Sequence, residues 1–181
     1  MAEREVIVDK MRITYEGLFD VKEFYKFIDV WFREKGYDKK DVKNIEKVTP
    51  EGKYIELELE PWKKITDYAK NVIKLRIFMT DIKEVEVEQD NKKVKLNQGK
   101  VHMVFDAFLE TDYENRWEMK PTFFFIKTIF DRFFYKPYTS GYQANVLNDV
   151  NQLAANVKAF LNLYRYSGIS WSAPGTTFPK Q

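Results

Sequence analysis

The sequence predicts an α+β domain: an antiparallel six- to seven-stranded meander sheet packed by an N-terminal helix, an aromatic-rich helix and a long C-terminal helix. Three observations predict it. Apolar residues recur at helical spacing near the N-terminus, alternate strictly through the middle of the chain, and return to helical spacing toward the C-terminus. The alternating segments are divided by short turn-forming runs and carry one charged face, the pattern of an antiparallel sheet. A chain of 181 residues that is 44% hydrophobic and 32% charged can bury one sizeable core.

The first strand is read from the alternation of Met11, Ile13 and Tyr15 within Val6–Tyr15. A helix follows, with Asp20 as N-cap and Glu23 as its capping-box partner. Val21, Phe24, Tyr25, Ile28, Trp31 and Phe32 form its apolar stripe, and Gly36 stands where a C-terminal glycine ends a helix. Val42–Val48 is a strand, and Thr49-Pro50-Glu51-Gly52 a turn. Ile55, Leu57 and Leu59 then alternate with Glu56, Glu58 and Glu60. Ile73 to Met79, Val85 to Val87, Val94 to Leu96 and Val101 to Leu109 give further strands, with turns at Gln89-Asp90-Asn91 and Asn97-Gln98-Gly99. The last strand is expected to continue through Tyr113, Asn115 and Trp117.

Pro121–Tyr138, PTFFFIKTIFDRFFYKPY, reads as the aromatic helix, over Thr122–Tyr135. Phe123, Ile126, Ile129, Phe130, Phe133 and Phe134 share one side, which requires a large apolar partner. After a break at Thr139-Ser140-Gly141, the long helix runs to about Tyr166 on a stripe that includes Val146, Val150, Leu153, Val157, Phe160 and Leu161. Residues 1–167 are expected to form one domain. Residues 168–181, rich in Ser, Thr, Gly and Pro, form a C-terminal tail carrying Trp171 and Phe178.

Composition narrows the function classes. A net charge of +2 gives no general drive toward nucleic acid or acidic membranes. The absence of cysteine removes disulfides and thiolate chemistry and points to the cytoplasm. The charged opening MAEREVIVDK does not resemble a signal peptide, and no apolar run is long enough to span a bilayer. With one histidine and no cysteine, no metal or other cofactor is implied and no catalytic residue is assigned.

His102 and Asp106 share a strand face, but four residues along a strand is too far for a hydrogen bond, so His102 reads as a sheet-face residue. Asp112, Glu114, Arg116 and Glu118 read as a cross-strand ion-pair ladder. Lys92, Lys93, Lys95 and Lys100 form a local basic run with no interleaved aromatic residues, facing Glu84, Glu86 and Glu88 across a hairpin. It is the candidate for contact with RNA. The long helix is nearly devoid of charge on the side away from its stripe. There it carries Asn148, Asn151, Gln152, Ala155, Asn156 and Ala159, small and amide residues that allow close approach with hydrogen bonds. With Trp171 and Phe178, these are the candidate partner-binding residues.

Strand, helix, meander and long C-terminal helix is the element order of the helix-grip fold of START and Bet v 1-like proteins, which this chain resembles from Val6 to Tyr166. It departs from that fold in the inserted aromatic helix and in having only Gly52 where a glycine-rich loop is usual. GLFD (Gly17–Asp20) and DYENRWE (Asp112–Glu118) are similar to segments of conserved archaeal proteins of uncharacterised activity. The helix-grip resemblance implies an apolar small molecule held between sheet and long helix, lined by Phe105, Trp117, Phe130 and Phe160. Three functions are therefore carried forward. The favoured one is a non-enzymatic binding or assembly protein, partnered by itself or another protein. The others are a helix-grip carrier or cyclase-like protein and a ribosome- or RNA-associated factor.

Overall fold

The computed structural model of the chain describes residues 3–50, 52–67, 69–89, 92–111 and 136–166. In order these form β1 (Glu3–Phe19), α1 (Val21–Glu34), β2 (Asp41–Thr49), β3 (Gly52–Leu59), β4 (Trp62–Lys64), β5 (Ala69–Gln89), β6 (Lys92–Thr111) and α2 (Lys136–Tyr166). The aromatic helix, the strand continuation beyond Thr111 and the C-terminal tail lie outside the described residues, and with them Trp117, Phe130, Trp171 and Phe178.

The strands make one antiparallel six-stranded sheet in the order β1-β6-β5-β3-β2, with β4 paired to β5. The fold is thus mixed α and β, with two helices among the described residues. The first strand lies beside the last, so the sheet is closed on one side by a pairing that runs from Glu3↔Thr111 to Phe19↔Asn97.

One expected turn is absent. Asn97-Gln98-Gly99 is strand, and the four short strands read between Ile73 and Leu109 are the two long strands β5 and β6. The polar Asn-Gln-Gly run marks a β-bulge instead of a reversal. Asp81 and Ile82 together oppose Gly99, between the pairs Thr80↔Lys100 and Lys83↔Gln98. Asp81 has φ 56°, the left-handed region that bulges tolerate. The extra residue inverts the faces of β5. Ile73, Leu75, Ile77 and Met79 face the helices, whereas Val85 and Val87, with Val94 and Leu96 opposite them, face away.

A second bulge sits on β1, where Asp9 and Lys10 oppose Asp106 between Val8↔Ala107 and Met11↔Phe105. Lys10, at φ 51°, donates its backbone N–H to Asp106 Oδ1 at 2.8 Å.

Helix α1 begins and ends as its sequence dictates. Asp20 Oδ1 accepts from the N–H groups of Lys22 and Glu23 at 2.8 and 3.0 Å. The Glu23 carboxylate is turned to Lys26, 3.8 Å away. At the far end Gly36 has φ 73°, and the N–H groups of Gly36 and Tyr37 bond the carbonyls of Arg33 and Phe32 at 3.0 and 2.9 Å. This is a Schellman motif, and the Tyr37 ring packs on Phe32 across it, 5.8 Å between centroids.

Helix α2 starts at Lys136 and takes the expected break, Thr139-Ser140-Gly141, into its first turns. An exposed glycine costs a helix only about 1 kcal/mol, which the packing of the rest of α2 outweighs. Its 31 residues span about 46 Å and lie across β1, β6 and β5. Val146, Val150, Leu153, Val157 and Leu161 are buried against Leu75, Ile77, Met103 and Phe105 in one cluster that also takes in Phe24, Ile28, Trp31 and Phe32 of α1. Each such side chain contributes roughly 1.5–3 kcal/mol through burial.

Gly99 has no room for a side chain. A Cβ there would meet the Thr80 carbonyl oxygen at 2.9 Å and Ile82 Cα at 3.2 Å, both backbone atoms that cannot swing aside. Gly99→Ala is expected to destabilise the fold by about 1–3 kcal/mol, read as a melting temperature lowered by roughly 2–10 °C. An unchanged melting curve would show that the bulge opens without cost.

Candidate functional site

The exposed side of α2 carries the described candidate partner residues. Asn148, Asn151, Gln152, Ala155 and Ala159 are exposed and Asn156 is half-buried, while the apolar stripe faces the sheet. Leu147 and Leu163 add apolar area, at 40% and 68% exposure. Asp149 and Lys158 are the charged residues between Gly141 and Leu163. Asp149 is already committed: the Tyr37 hydroxyl donates to its Oδ2 at 2.9 Å, and Lys35 Nζ lies 3.7 Å from Oδ1. Burial first, then the Asp149 charge and hydrogen bond, push the Tyr37 hydroxyl far above the ordinary phenol range, so it stays a donor at any physiological pH. This latch ties α2 to the end of α1 and leaves Lys158 as the charge on the outward face.

Of the residues expected to line an apolar ligand, the structure describes two, and both are engaged by the protein. Phe105 is fully buried in the core cluster. Phe160 stacks on Phe27 at 5.0 Å and lies 5.7 Å from Phe24, bridging the two helices.

At the lysine hairpin, Lys95 pairs with Glu84 at 2.9 Å and Lys100 with Asp81 at 3.4 Å. The hydrogen bond from Lys95, then its charge, holds the Glu84 carboxyl below the usual range and raises Lys95 in return. Lys93 is exposed opposite Glu88, and Lys92 pairs in the ladder with Gln89. The hairpin is thus charge-complementary. His102 lies half-buried beside Phe78, ring centroids 6.3 Å apart. Asp106, 6% exposed, is held by Arg76 Nη2 at 2.6 Å and by the Lys10 N–H.

Two features were not read from the sequence. One is an ion-pair lattice on the sheet face opposite the helices. Arg4 bridges Glu60 and Glu110 at 3.3 and 3.2 Å, Lys70 meets Glu110 at 2.8 Å, and Lys74 meets Glu58 at 2.7 Å. The alternating Glu56, Glu58 and Glu60 signalled it. Their partners required the β3–β5 register, Glu58↔Arg76 and its neighbours. The other is a cleft of about 360 Å3 between α1 and the β2–β3 hairpin, floored by Ile28, Phe32, Leu57 and Leu59.

Among the described residues no helix is long and apolar enough to cross a membrane, and no group of three acidic or histidine side chains is placed to hold a metal ion. No protein-family model, curated protein or solved structure matches the chain.

Glu110 supplies a pH test of the lattice. Burial raises its carboxyl, but the hydrogen bonds and charges of Lys70 and Arg4 outweigh burial and hold it below the ordinary range. A carboxyl depressed in the folded state stabilises the fold above its unfolded value and loses that stabilisation as pH falls through the folded value. Glu110→Gln is therefore expected to cost about 1–2 kcal/mol near neutral pH. The gap from wild type should close below about pH 4, the ordinary glutamate range. Urea denaturation at both pH values checks this, and a gap that persists in acid would contradict it.

Proposed function

We propose that this protein is a non-enzymatic assembly or binding protein that associates with a second copy of itself through the outward face of α2. The observation that carries the reading is the exposure, along one side of a helix, of Asn148, Asn151, Gln152, Ala155 and Ala159 with Lys158 as the accompanying charge. A solvated helix face ordinarily uses Lys and Glu, which favour the helix and hold water. Asparagine does neither as well. Alanine lets a second backbone approach closely, and the amides can hydrogen-bond across a two-fold axis, where each residue meets its counterpart. The absence of cysteine fits a cytoplasmic setting.

A second reading, a relative of the helix-grip proteins, is supported by the placement of β1 beside β6 and by a long helix lying across the sheet. The RNA reading draws less support, because Lys95 and Lys100 are already ion-paired.

Paired substitution of Ala155→Glu and Ala159→Glu places like charges on the face without touching the buried stripe. Sedimentation is expected to show an oligomer for wild type and a monomer for the double variant, with melting temperature preserved. A wild type that is monomeric on the order of tens of micromolar refutes the reading.

A further inference from the structure

The cleft between α1 and the β2–β3 hairpin exists because the sheet is wider than the described helices that cover it on this side. Among the described strands β2 pairs only with β3, and β2 is exposed along nearly its whole length. Asn44 pairs with Leu57, so it shares the helix-facing side of the sheet with Leu57 and Leu59. Asn44 is exposed and rims a hollow whose floor is Ile28 and Phe32 of α1 with Leu57 and Leu59 of β3. A concave apolar floor of about 360 Å3 with a few polar groups at its mouth is the usual form of a small-molecule site.

The mouth defines what would fit. Its charges are already matched to one another: Lys39 lies 3.1 Å from Asp29 and 3.7 Å from Asp41, Arg33 lies 3.9 Å from Asp29, and Lys26 lies 3.8 Å from Glu23. A charged ligand would have to break these pairs. Two polar side chains of the lining take no part in these ion pairs, Tyr25 with its hydroxyl and Asn44 with its carboxamide. Burial, and after it the Glu46 carboxylate, raises the Tyr25 hydroxyl above the ordinary phenol value, which keeps it a donor at neutral pH. We propose that this cleft binds an uncharged small molecule with an apolar body and a hydroxyl or carbonyl head, its body on Ile28, Phe32, Leu57 and Leu59 and its head at Tyr25 and Asn44. The site is separate from the outward face of α2 and does not depend on self-association.

Backbone-amide NMR titration at neutral pH with naphthol, naphthalenesulfonate and naphthylmethylamine tests the proposal. Naphthol is expected to give saturable shifts centred on Ile28, Phe32, Leu57 and Leu59, at an affinity about tenfold or more above either charged analogue. Tyr25→Phe should weaken naphthol binding roughly three- to tenfold, the loss of one hydrogen bond. Asn44→Trp, at an exposed position, should fill the mouth and abolish the shifts while the melting temperature stays that of wild type. Shifts that do not saturate, that fall elsewhere, or that the sulfonate or the amine reproduces at equal affinity overturn the proposal. So does a folded Asn44→Trp or Tyr25→Phe protein that binds naphthol as wild type does.

Discussion

The β5–β6 hairpin is the constraint on which the rest of the structure hangs. Its strands are 21 and 20 residues long and pair from Ala69↔Thr111 to Gln89↔Lys92. A ladder of that length accumulates twist and cannot stay flat. A bulge at Asp81 interrupts it, another at Lys10 interrupts the adjoining β1–β6 ladder, and each is fixed by a particular neighbour. Gly99 admits the first by having no side chain, and Asp106 holds the second by accepting the Lys10 N–H. Every other strand takes its register directly or indirectly from this hairpin. β1 pairs on its β6 side, and β3 and β4 pair on its β5 side.

The helices are fitted to that sheet by apolar burial and fixed in place by few polar bonds. Hydrophobic contact alone is tolerant of sliding, since one apolar stripe packs almost as well a turn away. Directional bonds remove that freedom. The Tyr37 hydroxyl on Asp149, with Lys35 beside it, joins the end of α1 to α2, while Asn97 accepts the Val21 N–H at the other end of α1. A long helix with so few charges is thus held at a defined point along its length, and among its described residues Lys158 is left as the charge on the outward side.

Much of the architecture was legible because local rules and global packing agree. Asp20 and Gly36 bound α1 where capping chemistry says they must, and the alternation of Ile55, Leu57 and Leu59 with glutamates gives both the strand and its buried face. The long-range facts were not legible. Asn97-Gln98-Gly99 has turn composition, and only its opposition to Asp81 and Ile82, residues distant in sequence, makes it a bulge. Thr139-Ser140-Gly141 has the composition of a break, yet packing further along α2 extends the helix through it. For the candidate site, the amide face could be read from spacing alone because helical periodicity fixes which residues share a side. The cleft under α1 could not, because it depends on how far the sheet extends past the helix, a quantity that no local pattern encodes. Phe105 and Phe160 show the same limit. Their apolar character was evident, but what covers them depends on packing, the rings of Phe24 and Phe27 for Phe160 and the core cluster for Phe105.

The placement of β1 at the side of β6 also has a consequence for biogenesis. β6 begins at Lys92, more than seventy residues after β1 ends at Phe19. On a ribosome adding about 5–20 residues per second, the first strand emerges roughly 4–15 s before its partner exists. Over that interval Val6, Val8, Met11 and Ile13 form an unsatisfied strand with both edges open. The nascent chain must remain without its native sheet until most of it has been made, so it is exposed to misassociation early and to chaperones that bind short apolar extended segments. Non-local pairing of this kind also slows refolding of the finished chain, because the entropy of closing so large a loop is lost before any contact of β1 is gained.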